Sequence, residues 1–150
     1  EIVDNAVDEA HDLIDHDVKM NIQGYDLDGD MVKCAMENAR AAGVEQHIHF
    51  QQRDVKDLRN PKKYGFIITN PPYGERLEEK EALPELYRII GESYRNLDDW
   101  SMFLITSYTD AEKYIGRKAD RNRKIYNGMI KSYFYQFMGP KPPKRRREEA

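Results

Sequence analysis

Cysteine is nearly absent from this chain of 150 residues; Cys34 is the only one. A single thiol cannot close an internal disulfide, and nothing in the composition points to an oxidising compartment. Cys34 sits among Val32, Ala35 and Met36 in a helical pattern, so a packed thiol is expected rather than a nucleophile. No apolar run approaches the length of a membrane span, and no basic-then-apolar leader opens the chain. The cytoplasm is therefore the expected compartment. Metal-ligand spacing is missing too. His47 and His49 are expected to share one strand face, but no Cys or acid is spaced to join them. No Ser-His-Asp or Cys-His arrangement can be assembled.

What is present is charge, unevenly spread. The net charge of −3 averages two opposite ends. Residues 1–30 contain ten Asp and Glu against the single Lys19, whereas residues 117–147 contain eleven Lys and Arg against the single Asp120. A basic C-terminal third points to a polyanionic partner, with nucleic acid first among the candidates. Arg117, Lys118, Arg121, Arg123 and Lys124 precede aromatics at Tyr126, Tyr133, Phe134 and Tyr135, a mixture suited to nucleic acid. For the tail cluster Lys144–Arg147 a plain solvated tail is an equal alternative.

Apolar periodicity predicts an amphipathic helix over 2–15, a strand over 21–26, a helix stopped by Gly43, and strands over 48–52 and 65–69. A helix near 82–96 follows, with Leu83, Leu86, Tyr87, Ile90, Tyr94 and Leu97 facing inward. Then come a strand over 101–106, a short helix over 110–115, and strands over 124–127 and 130–137 around the hairpin signal Asn127-Gly128. Gly139-Pro140 ends the structure, and 140–150 reads as a basic, disordered tail beyond a domain of residues 1–139. Strands alternating with helices predict an α/β fold: a mostly parallel sheet covered on both faces, with a C-terminal antiparallel hairpin.

The most informative segment is Asn70-Pro71-Pro72-Tyr73-Gly74, after the apolar run Phe66–Thr69, which reads as a buried strand. The prolines fix φ, remove N–H donors and hold the preceding residue extended. Such a backbone offers carbonyl acceptors in a stiff geometry. Asn70 adds an amide acceptor and Tyr73 a flat ring, which together suit a planar substrate carrying an amino group, such as a nucleobase. A strand-ending turn is the plainer alternative. In parallel sheets ligands bind at the carboxyl ends of strands, and two further polar signals fall there. Asp26 can accept from both hydroxyls of a ribose, with Asp28 competing as a helix cap. Asp54 can accept from an adenine amino group while the Val55 N–H serves the neighbouring ring nitrogen; an ordinary turn acid is the alternative. All three signals are expected to converge on one rim.

Those residues carry a resemblance. Asn70–Gly74 resembles motif IV of the amino-methylating class I S-adenosylmethionine-dependent methyltransferases, whose fold is a Rossmann-like three-layer sandwich. Gly24-Tyr25-Asp26-Leu27-Asp28 resembles that fold's ribose-binding acidic motif, and Arg53-Asp54-Val55 its adenine-binding motif. The extension through Glu75-Arg76-Leu77, with Gly116-Arg117-Lys118 and Lys124–Gly128, is similar to the THUMP-associated RNA guanine-N2 methyltransferases. Members of that group also carry the name N6-adenine-specific DNA methylase.

The resemblance implies S-adenosyl-L-methionine as cofactor, held by Asp26, Leu27, Asp54, Val55 and Asn70. It implies catalysis by Asn70, Pro71, Pro72 and Tyr73, and phosphate contacts from Arg76, Arg117, Lys118, Arg121, Arg123 and Lys124. The implied substrate is an exocyclic amine in RNA, guanine N2 of 23S rRNA. A DNA adenine-N6 methyltransferase, a protein or small-molecule amide methyltransferase, and a non-catalytic RNA-binding remnant are the alternatives. The family's glycine-rich first motif and its THUMP domain are expected upstream of Glu1. The chain therefore reads as the C-terminal part of a larger enzyme, lacking the first strand near the sheet centre and inactive by itself.

Overall fold

The computed structural model describes residues 1–75 and 77–144. Along the chain run α1 (Ile2–Asp12), β1 (Ile22–Asp26), α2 (Gly29–Ala41), β2 (Ile48–Gln52), β3 (Phe66–Thr69), α3 (Leu77–Arg95), β4 (Ser101–Thr106), α4 (Ala111–Ile115), β5 (Arg121–Asn127) and β6 (Ile130–Phe137). The chain divides into two compact units, Glu1–Gln52 and Arg53–Ala150.

In the first unit β1 and β2 pair in parallel, from Ile22 opposite Ile48 to Asp26 opposite Gln52. Gly24 is required in this pair, because a Cβ there would lie 2.6 Å from the Phe50 ring. Between the strands α2 is specified at both ends. Asp28 caps its start by accepting the Asp30 N–H at 2.8 Å, which leaves one fewer orphan donor. At its end Gly43 takes φ +71°. Its N–H donates to the Arg40 carbonyl and the Val44 N–H to the Ala39 carbonyl, a Schellman closure. Cys34 is exposed on α2, contrary to the packed thiol expected: in this unit only Ala39 of α2 is buried. His47 ends a 3-10 turn before β2, so only His49 of the two histidines lies on the strand.

In the second unit the strand order is β3-β4-β6-β5. β3 and β4 are parallel, while β4–β6 and β6–β5 are antiparallel. Leu83, Tyr87, Ile90 and Tyr94, a single stripe along α3, pack on Met102 and Leu104 of β4 and on Tyr135 and Phe137 of β6. Ala111 and Ile115 of α4 close the same core. The stripe has the spacing of one helix face.

Three local expectations are corrected. α3 starts at Leu77 instead of near residue 82 and carries Pro84 in its interior. A proline removes one intrahelical bond without ending a helix whose first turns are rich in glutamate, which suits the helix N-terminus. β5 begins at Arg121 rather than Lys124, because pairing extends to Arg121 opposite Gln136. β3, read as buried, is covered on one face only: Phe66 is 67% exposed and Ile68 83%. Among the described residues β4 is the one strand that pairs with β3. Residues 145–150 of the expected tail lie outside the described residues.

Candidate active site

The loop after β3 is shaped by its own sequence and then fixed from outside. Pro71 and Gly74 are buried, Tyr73 is half-buried, and Asn70 and Pro72 are exposed. Gly74 takes φ +82°, and a Cβ there would lie 2.9 Å from Leu83 Cδ1 and 3.0 Å from Lys80 Cγ. Glycine alone fits both the conformation and the space. The Asn70 side-chain amide makes no hydrogen bond and the Tyr73 ring no ring contact among the described residues. The amide carbonyl and the ring face are thus both available to a ligand. Arg76 lies outside the described residues.

α3 holds this loop through Tyr87, which is fully buried. Its hydroxyl contacts the Pro72 carbonyl at 3.1 Å and the Thr106 hydroxyl at 2.5 Å. A phenol has one hydrogen, and a carbonyl can only accept. Tyr87 therefore donates to Pro72, Thr106 donates to Tyr87, and the Tyr108 N–H donates to Thr106 at 3.0 Å. Burial pushes the Tyr87 hydroxyl up to about 12, against the lowering effect of the Thr106 bond, so at neutral pH it remains a donor.

Six residues further along α3, Ser93 (3% exposed) donates to the Val55 carbonyl at 2.7 Å. That carbonyl belongs to the 3-10 turn Val55–Asp57, whose cap is Asp54 through the Lys56 N–H at 3.0 Å. The second Asp54 oxygen pairs with Lys56 Nζ at 3.8 Å and makes no hydrogen bond among the described residues. The Val55 N–H makes no hydrogen bond among the described residues. A carboxylate oxygen beside an unpartnered N–H is the acceptor–donor pair that an adenine edge requires. Asp54 is therefore a turn acid, as the alternative reading had it, and its second oxygen is not used in that cap.

Asp26 and Leu27 belong to the other unit. Asp26 Oδ1 accepts the Asp28 N–H at 2.9 Å, and the Leu27 carbonyl accepts from Gln52 Nε2 at 2.9 Å. The Asp26 carboxylate is exposed, with its second oxygen unengaged among the described residues. The nearby cleft of about 460 Å3 is lined by Asp28, Gly29, Asp30, Val32, Lys33 and Gln52, not by Asp26 itself. Convergence of all three strand ends on one rim involves both units and stays an expectation from sequence.

The basic residues are not brought into one patch. Arg117 is held inside its unit, donating to the Tyr94 hydroxyl (3.1 Å), Asp120 (3.0 Å) and the Met138 carbonyl (3.1 Å). Strand alternation also divides β5. Arg121 and Arg123, opposite Gln136 and Phe134, share one face; Lys124, opposite Tyr133, lies on the other with Tyr126. Lys118 is exposed beside Arg117. Sequence reading missed the hydroxyls of Tyr87, Ser93 and Thr106. Tyr87 was legible as an inward residue, but its partners were not.

Comparison with known proteins gives the family. Residues 3–136 match the family described as UPF0020: RMKL-like, methyltransferase domain. The chain is 40% identical over 141 residues to a protein of Bacillus subtilis (strain 168) named "Putative RNA methyltransferase YpsC", covering 94% of this chain and 37% of that one. It is 36% identical over 119 residues to the Ribosomal RNA large subunit methyltransferase K/L of Syntrophotalea carbinolica, covering 76% of this chain and 17% of that one. Among solved structures, SMU.472 in complex with SAH superposes with a TM-score of 0.86 at 42% identity, over 94% of this chain and 37% of its own. The chain thus spans well under half the length of these relatives. With a Rossmann-like α/β fold, an Asn-Pro-Pro-Tyr loop at the end of β3 and a match over most of its length, this chain belongs to the RMKL-like methyltransferase domain family.

Proposed function

We propose that this chain is the acceptor-side part of an S-adenosylmethionine-dependent RNA methyltransferase whose target is an exocyclic base amine, guanine N2 of 23S rRNA. The observation that carries this reading is the pairing of an unengaged Asn70 amide and Tyr73 ring on a loop fixed at the carboxyl end of β3. When bound, the cofactor supplies a methyl group on a sulfonium, and the protein supplies position and electrostatics. The Val55 N–H and the Asp54 oxygen not used in capping suit the adenine, and Asp26 suits the ribose. The methionine part would be held by a glycine-rich segment outside this chain, and an upstream THUMP domain would add RNA contacts.

An aryl amine is a weak nucleophile because its lone pair is delocalised into the ring. The Asn70 side-chain carbonyl and the Pro71 backbone carbonyl would each accept one of its N–H bonds. This turns the nitrogen lone pair toward the methyl group and stabilises the positive charge that grows on nitrogen during transfer. The amine proton leaves afterwards to solvent. Tyr73 would stack on the base once it is out of its own stack. Lys118, Arg121, Arg123 and Lys124 are the exposed cations offered to phosphates.

The test uses the full-length protein that contains this domain, with rRNA and duplex DNA as alternative substrates and mass analysis of the methylated nucleoside. N2-methylguanosine from rRNA is the expected product; N6-methyladenine from DNA would move the assignment to the DNA class. Asn70→Ala should lower kcat by about 100-fold or more, as loss of one charge-stabilising group does. Its cofactor Kd should stay within about twofold, since on this reading the charge-stabilising contact acts mainly in the transition state. Unchanged turnover would overturn the role given to Asn70.

A further inference from the structure

Two loops of the second unit carry the residues assigned above, and one helix holds both. Besides Tyr94, whose hydroxyl donates to the Trp100 carbonyl, α3 carries two buried hydroxyls: Tyr87, fully buried, and Ser93, 3% exposed. Each donates to a backbone carbonyl in a different loop, Tyr87 to Pro72 at 3.1 Å and Ser93 to Val55 at 2.7 Å. Neither bond is needed to form α3, and each ties a loop carbonyl to a buried hydroxyl of the helix. Tyr87 is oriented in turn by Thr106 at the carboxyl end of β4. A directed chain of three hydrogen bonds therefore runs from the Tyr108 N–H through Thr106 and Tyr87 to the loop after β3.

We infer that α3 is the positioning element of the site, with Tyr87 setting the acceptor loop and Ser93 setting the cofactor loop. This rests on the reading of Asn70–Tyr73 as the acceptor loop and Asp54–Val55 as the adenine loop. Neither hydroxyl touches a reacting atom; each acts through the carbonyl it holds. The Pro72 carbonyl is drawn toward α3, which fixes the plane of its peptide and limits how far the preceding Asn70-Pro71 carbonyls can turn. The Val55 carbonyl, held by Ser93, restrains the backbone at Val55 and so limits where its N–H can turn.

Two side chains on one helix should then fail in different ways. In the full-length protein, Tyr87→Phe keeps the ring and removes the donor. It should lower kcat by about 10-fold or more, because small misplacements of reacting groups are costly, and leave cofactor Kd within about twofold. Ser93→Ala should weaken cofactor binding by about 5-fold, the scale of one net hydrogen bond, and leave kcat at saturating cofactor nearly unchanged. Ser93→Thr should restore the affinity. Thr106→Val should reproduce the Tyr87→Phe defect and add little to it in the double variant, because the bonds are in series.

Amide hydrogen exchange supplies a readout that needs no activity. Tyr87→Phe should speed exchange at Tyr73 and Gly74, and Ser93→Ala at Lys56–Leu58, each leaving the other loop unchanged. Loss of the same kinetic parameter in both variants, or unaltered exchange at either loop, overturns the inference. A wild-type protein that methylates neither RNA nor DNA would overturn the proposed function instead, and the exchange data would still judge the role of α3.

Discussion

Tyr87 shows how much one buried hydroxyl can carry. Burial raises its pKa, chiefly by desolvation, to about 12. Tyr94 and Tyr135 are raised by burial as well. A phenol whose folded pKa exceeds its unfolded value of about 10 keeps its proton longer in the folded chain. Its contribution to stability is therefore complete below about pH 10 and is lost as pH rises through the folded value. Urea midpoints should fall more steeply between about pH 10 and pH 12 for the native sequence than for Tyr87→Phe. An equal slope in the two would show that Tyr87 titrates like an exposed phenol. Asn70, Tyr73 and Asp54 stood out in the sequence as candidates because their marks are local: a strand end, two prolines, an acid after a strand. The Tyr87–Pro72, Tyr87–Thr106 and Ser93–Val55 bonds join residues 15, 19 and 38 positions apart. No periodicity or spacing encodes such pairings.

Among elements, α3 and α4 meet more closely than side chains allow. Gly91 of α3 lies against the end of α4, and a Cβ added there would sit 2.3 Å from the Ile115 carbonyl oxygen. Arg95, one turn on, donates to that same carbonyl at 2.7 Å. Backbone cannot yield as a flexible side chain does, so Gly91→Ala should destabilise the fold by about 3 kcal/mol. The measure is the urea midpoint, with Gly43→Ala as a comparison: its site has open space around it and a φ of +71°, so it should cost about 1 kcal/mol through conformation alone. Elements that announce themselves by caps and turns were legible. α2 starts on Asp28 and stops at Gly43 as read. The hairpin also forms, with Asn127 paired to Ile130, so that the turn residues are Gly128 and Met129, one place later than the Asn-Gly pair suggested. The start of α3 and the length of β5 were not legible, because helix propensity in a charged stretch and cross-strand pairing at Arg121 leave weak local marks.

At the scale of the molecule, the buried apolar cluster belongs entirely to the second unit, and its helices cover one side of the four-stranded sheet. On the other side, pairing places Ile68 beside Phe103, and the Phe103 ring lies 6.1 Å from both Phe66 and Phe134. β3 ends that sheet with no strand on its far edge among the described residues. An apolar terminal strand with unpaired backbone groups is a template for other chains. The colloidal behaviour of these 150 residues follows from this. As an isolated polypeptide they should self-associate at micromolar concentration, seen as a light-scattering mass that grows with concentration. Ile68→Lys, 83% exposed in the folded chain, should suppress that growth while leaving the unfolding midpoint within about 0.5 kcal/mol, as surface changes do. A scattering mass that stays at one chain at every concentration would show that this edge is silent in solution.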